Sequence, residues 1–178
     1  MEGQIFTTAH CGQVVVSHYQ NRDKVTVRFT QTGYTITTTK DRLTKTDRPH
    51  LRDPLARSVF GVGCIGVGPH KAHVKGADTK PYAVWRSMLR RCYYRGSKHH
   101  QKSYEGKTVC DAWLCFQTFA CWYANEHPGD GLVYQLDKDI KAGHSMVYSP
   151  GTCSLVTQAE NLAARRAGKF SKNATGHA

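Results

Sequence analysis

The sequence predicts an α+β chain in two parts, a small N-terminal β-meander or barrel followed by a helical region that closes in a ββα unit. Three observations carry that expectation. Residues 4 to 37 alternate apolar and polar positions as strands do. The middle of the chain switches to helical spacing, with Tyr82, Trp85, Leu89 and Cys92 at intervals of three and four. Near the C-terminus, two short apolar runs precede Thr157-Gln158-Ala159-Glu160, a capping box that marks a helix start.

Taken in order, Val14-Val15-Val16, the run Val25 to Phe29 and Tyr34 to Thr37 are the candidate strands, joined by turns at Asn21-Arg22-Asp23 and Gln31-Thr32-Gly33. Val25, Val27 and Phe29 share one face, which suits a three-stranded or slightly larger meander or a small SH3-like barrel spanning residues 1–57. Lys40 to Pro54 is polar and basic, with Pro49 and Pro54 opposing helix, and is expected to be a connector. A Gly-rich connector follows over 58–80. Gly61-Val62-Gly63-Cys64-Ile65-Gly66 matches GxGxxG by letter, but Val67-Gly68-Pro69 cannot open the helix a dinucleotide site needs. A turn or strand with closely packed backbone is expected there instead.

Pro81 suits the first turn of a helix that buries the Tyr82 stripe and places Arg86 and Arg90 together on an adjoining face. Asp111 is expected to start a second helix, with Trp113, Phe116, Ala120 and Tyr123 on one side as core. Leu132 to Leu136 reads as a strand ending in Asp137-Lys138-Asp139, and Cys153 to Val156 as its partner. Thr157 and Glu160 cap each other's amides at the start of a helix that holds Asn161 in its first turn and stops at Gly168. This helical and ββα region is expected over 81–168, and a polar, disordered tail over 169–178.

The formal net charge of +12 over 178 residues favours a polyanionic partner and says little about fold. Its densest stretch, Lys71 to Lys107, holds ten Lys and Arg against Asp78 and Glu105, with Tyr93, Tyr94 and Tyr104 interleaved. Double-stranded DNA is the expected partner, and Lys75, Lys80, Arg86, Arg90, Arg91, Arg95, Lys98 and Lys102, with Arg165 and Arg166 further on, are the candidate phosphate contacts. The N-terminus lacks the basic and apolar regions of a signal peptide, and no apolar run approaches bilayer length, so a cytoplasmic location without membrane contact is expected. Seven cysteines, an odd number, argue against a disulfide framework. Cys92, Cys110, Cys153 and a His could assemble structural Zn²⁺, but no C-x2-C pair announces it, and buried thiols are expected instead.

The strand, loop, strand and capped helix from Leu132 to Arg166 resemble the HNH (His-Me finger) nuclease motif. Asp137 matches its metal-binding Asp, Thr152 lies near its loop Asn, Leu155-Val156-Thr157 matches the end of its second strand, and Glu160-Asn161 its helix. Trp85 to Tyr93, Trp113 to Trp122, Leu136 to Asp139 and Tyr148-Ser149-Pro150 extend a likeness to phage-encoded proteins of the HNH or homing-endonuclease-like type, over roughly Thr32 to Asn161. The resemblance implies an HNH-like ββα-metal domain acting in the cytoplasm of a bacterial host, with Mg²⁺ or Mn²⁺ held by Asp137 and Asn161 and used to nick or cleave DNA.

Lys138 stands where the family keeps its catalytic His. As a base it would need its pKa lowered by about three units, against the pull of Asp137 and Asp139, so a phosphate contact or transition-state cation is the better expectation. His144, in the loop between the strands, is the substitute base, with His127 behind it. Two readings of function therefore stand. One is a metal-dependent DNA endonuclease with Asp137, Lys138, His144 and Asn161 in its site. The alternative is a catalytically inactive HNH-derived protein that binds DNA, or that regulates a host protein or polymerase through the same basic face.

Overall fold

The computed structural model describes residues 1–94, 96, 104–138 and 145–164. It is a mixed α+β chain that divides into two compact units, Met1–Arg57 with Cys64–Val67 and Ser58–Gly63 with Gly68–Ala178. No helix among the described residues is long and apolar enough to cross a membrane.

The N-terminal unit is built on a four-stranded antiparallel sheet in sequential order, β1 (Ile5–Thr7), β2 (Gln13–Asn21), β3 (Lys24–Phe29) and β4 (Thr35–Thr38). Period-two alternation sends Val14 and Val16 of β2 and Val25, Val27 and Phe29 of β3 to one face, where they bury with Leu43 and Leu51. The sheet is an open meander with β1 and β4 as its edges, where a closed SH3-like barrel was the other expectation. The segment after β4 also departs from expectation. Lys40–Thr44 forms a short helix, α1, because Thr39 accepts the amide of Arg42 as its N-cap and both prolines lie beyond its end. Leu43 and Leu51 belong to the core, so this stretch is part of the unit and not a connector.

The C-terminal unit begins with a hairpin, β5 (His73–Val74) and β6 (Ala77–Asp78), inside the stretch expected as connector. Its two-residue loop is Lys75-Gly76, both at positive φ (50° and 82°), the backbone of a tight hairpin turn. Helix α2 (Lys80–Tyr93) follows, with Pro81 in its first turn and Tyr82, Trp85, Met88, Leu89 and Cys92 buried, as the spacing predicts. Gly63 packs on this helix so closely that an added Cβ would lie 2.5 Å from Leu89 Cδ1, which accounts for glycine in that run.

The second expected helix is split. Asp111–Leu114 is a 3₁₀ turn, Cys115 is extended, and α3 (Phe116–Glu126) starts after it. Trp113, Phe116, Phe119, Ala120 and Tyr123 are buried all the same. The Trp85 indole donates to the carbonyl of Trp113 at 2.7 Å, tying α2 to the 3₁₀ turn. Two strand pairs complete the unit: β7 (Thr108–Val109) parallel to β9 (Val147–Tyr148), and β8 (Tyr134–Asp137) antiparallel to β10 (Ser154–Thr157). Leu132 and Val133, expected in the strand, precede it and are exposed. Residues 158–164 form helix α4 directly after β10. Its expected end at Gly168 and the tail from 169 lie outside the described residues.

Candidate functional site

The capping box forms as the sequence predicts. Thr157 donates its amide to the Glu160 carboxylate at 2.7 Å, and Glu160 returns its amide to Thr157 Oγ1 at 3.3 Å. The Thr157 amide and hydroxyl hold the Glu160 carboxyl below its ordinary range. This fixes α4 against β10 and sets Asn161 across from β8, where its Nδ2 donates to Gln135 Oε1 at 3.0 Å.

Strand parity then decides what can meet Asn161. Gln135 and Asp137 share one face of β8, while Tyr134 and Leu136 share the other. Asp137 therefore lies on the side that receives Asn161, one alternate position beyond Gln135, a step of roughly 7 Å along the strand. Lys138, just past the end of β8, is 3% exposed. Its ammonium donates to the carbonyl of Ser145 and stands 5.8 Å from the Tyr148 ring centroid. Lys138, expected as a phosphate contact or transition-state cation, is in this structure a buried donor. These contacts link the end of β8 to the segment at β9.

The resemblance implies a divalent metal between β8 and α4. One carboxylate, Asp137, and two amides, Gln135 and Asn161, stand on that face, and the amides are engaged with each other. Among the described residues no three His, Cys, Asp or Glu side chains gather in a way that could hold a metal ion. Asp139, the next carboxylate along the chain, lies outside the described residues. Cys92 and Cys153, two of the cysteines considered for zinc, are buried thiols, the first pushed up to about 11 by burial and the second also raised by it. His144, the expected base, lies outside the described residues. His127 is spent elsewhere, its Nδ1 accepting the Gly129 amide and its ring packed on Tyr134.

The basic candidates separate into two groups. Arg86 and Arg90, one turn apart, are exposed on one side of α2, with Lys80 exposed at its start and Lys75 exposed in the hairpin turn. Arg91 faces another way and is half-buried, its guanidinium 5.8 Å from the Tyr104 ring centroid, with Lys107 on the same ring at 5.2 Å. Tyr148, beside Arg91, is pushed up to about 12, chiefly by burial. Arg91 thus supports the inside of the unit more than it faces solvent. Arg95, Lys98, Lys102, Arg165 and Arg166 lie outside the described residues.

A groove of about 550 Å³ runs beside Arg86 and Arg90, lined also by Phe60, Asp78, Ser87 and Tyr94. Asp78 holds both sides of its entrance, with one oxygen 2.9 Å from His73 Nδ1 and the other 3.4 Å from Arg86 Nη1. Arg90 lies 5.6 Å from the Tyr94 ring centroid. Reading the sequence alone singles out the arginines but misses Phe60, Ser87 and Gln135. Phe60 stands beside Gly61, a neighbourhood that tolerates left-handed backbone, yet no residue pattern marks its ring for a groove. Searches with the chain among protein-family models, curated proteins and solved structures return no match.

Proposed function

We propose that this chain is a DNA-binding protein whose C-terminal unit has an HNH-like ββα ending, and that it engages the phosphate backbone without cutting it. The observation that carries the reading is the Arg86 and Arg90 pair, exposed one turn apart on a rigid, well-buried helix. Charge supports it: the C-terminal unit holds sixteen Lys and Arg against eight Asp and Glu, the N-terminal unit nine against five. Guanidinium forks on a helix suit phosphate oxygens, and each neutralised phosphate steepens the salt dependence of binding. The HNH-like lineage is supported by the order β8, β10, α4 and by Asn161 meeting the strand face that carries Asp137. Absence of hydrolysis is argued from Lys138, which is turned inward at the position where the resembling nucleases keep their base. The cytoplasm of a bacterial host is the setting this reading implies.

Duplex DNA binding with and without EDTA, beside a plasmid incubation with Mg²⁺ and Mn²⁺, tests it. Binding should be indifferent to chelator, the plasmid should stay supercoiled, and Arg86→Ala with Arg90→Ala should weaken binding far more than Asp137→Ala. Metal-dependent nicking that Asp137→Ala abolishes would overturn the non-cleaving part. No binding at low salt would overturn the whole, and binding to an acidic protein that DNA fails to displace would do the same.

A further inference from the structure

The groove beside α2 contains more than a phosphate site needs. A phosphate alone would use Arg86, Arg90 and the Ser87 hydroxyl, and would leave the two aromatic rings at the rim without a purpose. Phe60 is set there by a tight turn, its φ of 52° and the 76° of Gly61 lying between Val59 and Gly63, which pair with each other. Its ring is not placed there to be buried, for it is half-exposed, meeting the exposed ring of Tyr94 edge-on at 5.7 Å and 61°. Arg90, stacked near Tyr94, and Arg86, held by Asp78, are steadied beside those rings.

The geometry points to a nucleotide as the ligand: a base laid against Phe60 and Tyr94, with its phosphate on Arg86 and Arg90. Resting on the DNA-binding reading above, the source we assign is one unpaired nucleotide of a strand. Bases inside a continuous duplex show no face to a ring, so only an unstacked one can use these aromatics, and stacking on aromatic side chains tolerates any base. A groove of about 550 Å³ holds a single nucleotide and not a length of helix. The chain would then grip duplex through its arginines and favour positions where a base has left the stack.

Fluorescence anisotropy with the full chain tests this on three probes: a fully paired duplex, the same duplex with one bulged nucleotide, and adenosine monophosphate as competitor. The bulged probe is expected to bind roughly tenfold tighter than the paired one. Phe60→Gly should bring the two probes to parity, and Phe60→Tyr should keep the preference. Because glycine is at ease at positive φ, Phe60→Gly should not lower the melting temperature, which separates loss of the ring from loss of the fold. Tyr94→Ala is the second variant and should reduce the preference in the same way. Equal affinity for paired and bulged probes, or a preference that survives Phe60→Gly, overturns the groove assignment while leaving duplex binding standing. Failure of both DNA probes at low salt overturns the DNA-binding reading itself. Tight binding of adenosine monophosphate without either DNA would overturn the strand as the source.

Discussion

The two units handle their charges and their cores in opposite ways. In the N-terminal unit the core is mainly valine and leucine around Phe29, and Asp41 accepts from Arg22 at 2.9 Å and from Lys45 at 3.2 Å. In the C-terminal unit the core is aromatic, with Trp85 and Trp113 fully buried, and several cations lie on rings: Arg90 on Tyr94, Arg91 and Lys107 on Tyr104, Lys138 on Tyr148. Of these cations Arg90 is exposed, and a charge held against an aromatic face keeps its sign for a polyanion to use.

The largest test of that contrast comes from the cores. All three tryptophans, Trp85, Trp113 and Trp122, belong to the C-terminal unit, so tryptophan fluorescence reports its unfolding alone. Leu89→Ala should cost about 2–5 kcal/mol in a urea titration followed this way. Leu43→Ala, of similar size in the other core, should shift the tryptophan transition less than the far-ultraviolet circular dichroism. Equal shifts by both probes would show that the two cores unfold as one and would blunt the comparison.

Next in size is the response to alkali. Burial raises the Cys92 thiol from an ordinary value near 9 to about 11 and the Tyr148 phenol from near 10 to about 12. For a group whose folded value is raised, the stabilisation is complete below the unfolded value and is lost as pH climbs to the folded one. The C-terminal unit should therefore weaken between about pH 9 and 12, with Cys92 contributing roughly 2–3 kcal/mol of the loss. The N-terminal unit has the reverse case: hydrogen bonding to Arg22 lowers the Asp41 carboxyl to about 2, so its contribution fades as pH falls toward that value. Tryptophan-detected melts at pH 8 and 10.5, repeated with Cys92→Ala, should show a smaller alkaline loss in the variant. An identical loss would mean that Cys92 has no part in the alkaline response.

A smaller effect is expected at the cap. Thr157→Ala removes the acceptor for the Glu160 amide and should cost about 1 kcal/mol, with loss of helical signal from α4. An unchanged spectrum and stability would mean that packing, and not the cap, holds this helix in place.

What the residues revealed in advance was local. The capping box needs only four consecutive positions, and the α2 stripe only its own periodicity, so both were legible. The α1 helix was hidden because Pro49 and Pro54 dominate a stretch whose cap, Thr39, lies before it. The parallel β7 and β9 pair joins residues nearly forty positions apart, a distance over which no short pattern reaches. Lys138 and Asp137 look equivalent in the sequence, yet Asp137 ends β8 half-buried while the lysine just past it is 3% exposed. The arginine pair was visible and the groove was not, because Phe60 reaches it from a distant loop through a backbone angle that no neighbour announces.

The most direct test of the central claim is a salt titration of duplex binding in EDTA, comparing the wild-type chain with the Arg86→Ala, Arg90→Ala double variant. The account predicts steep log-log salt dependence for the wild type and a slope shallower by roughly 2 in the variant, near −0.9 for each phosphate that is no longer neutralised. Parallel lines with equal affinities would show that this face of α2 does not touch DNA, and would contradict the account.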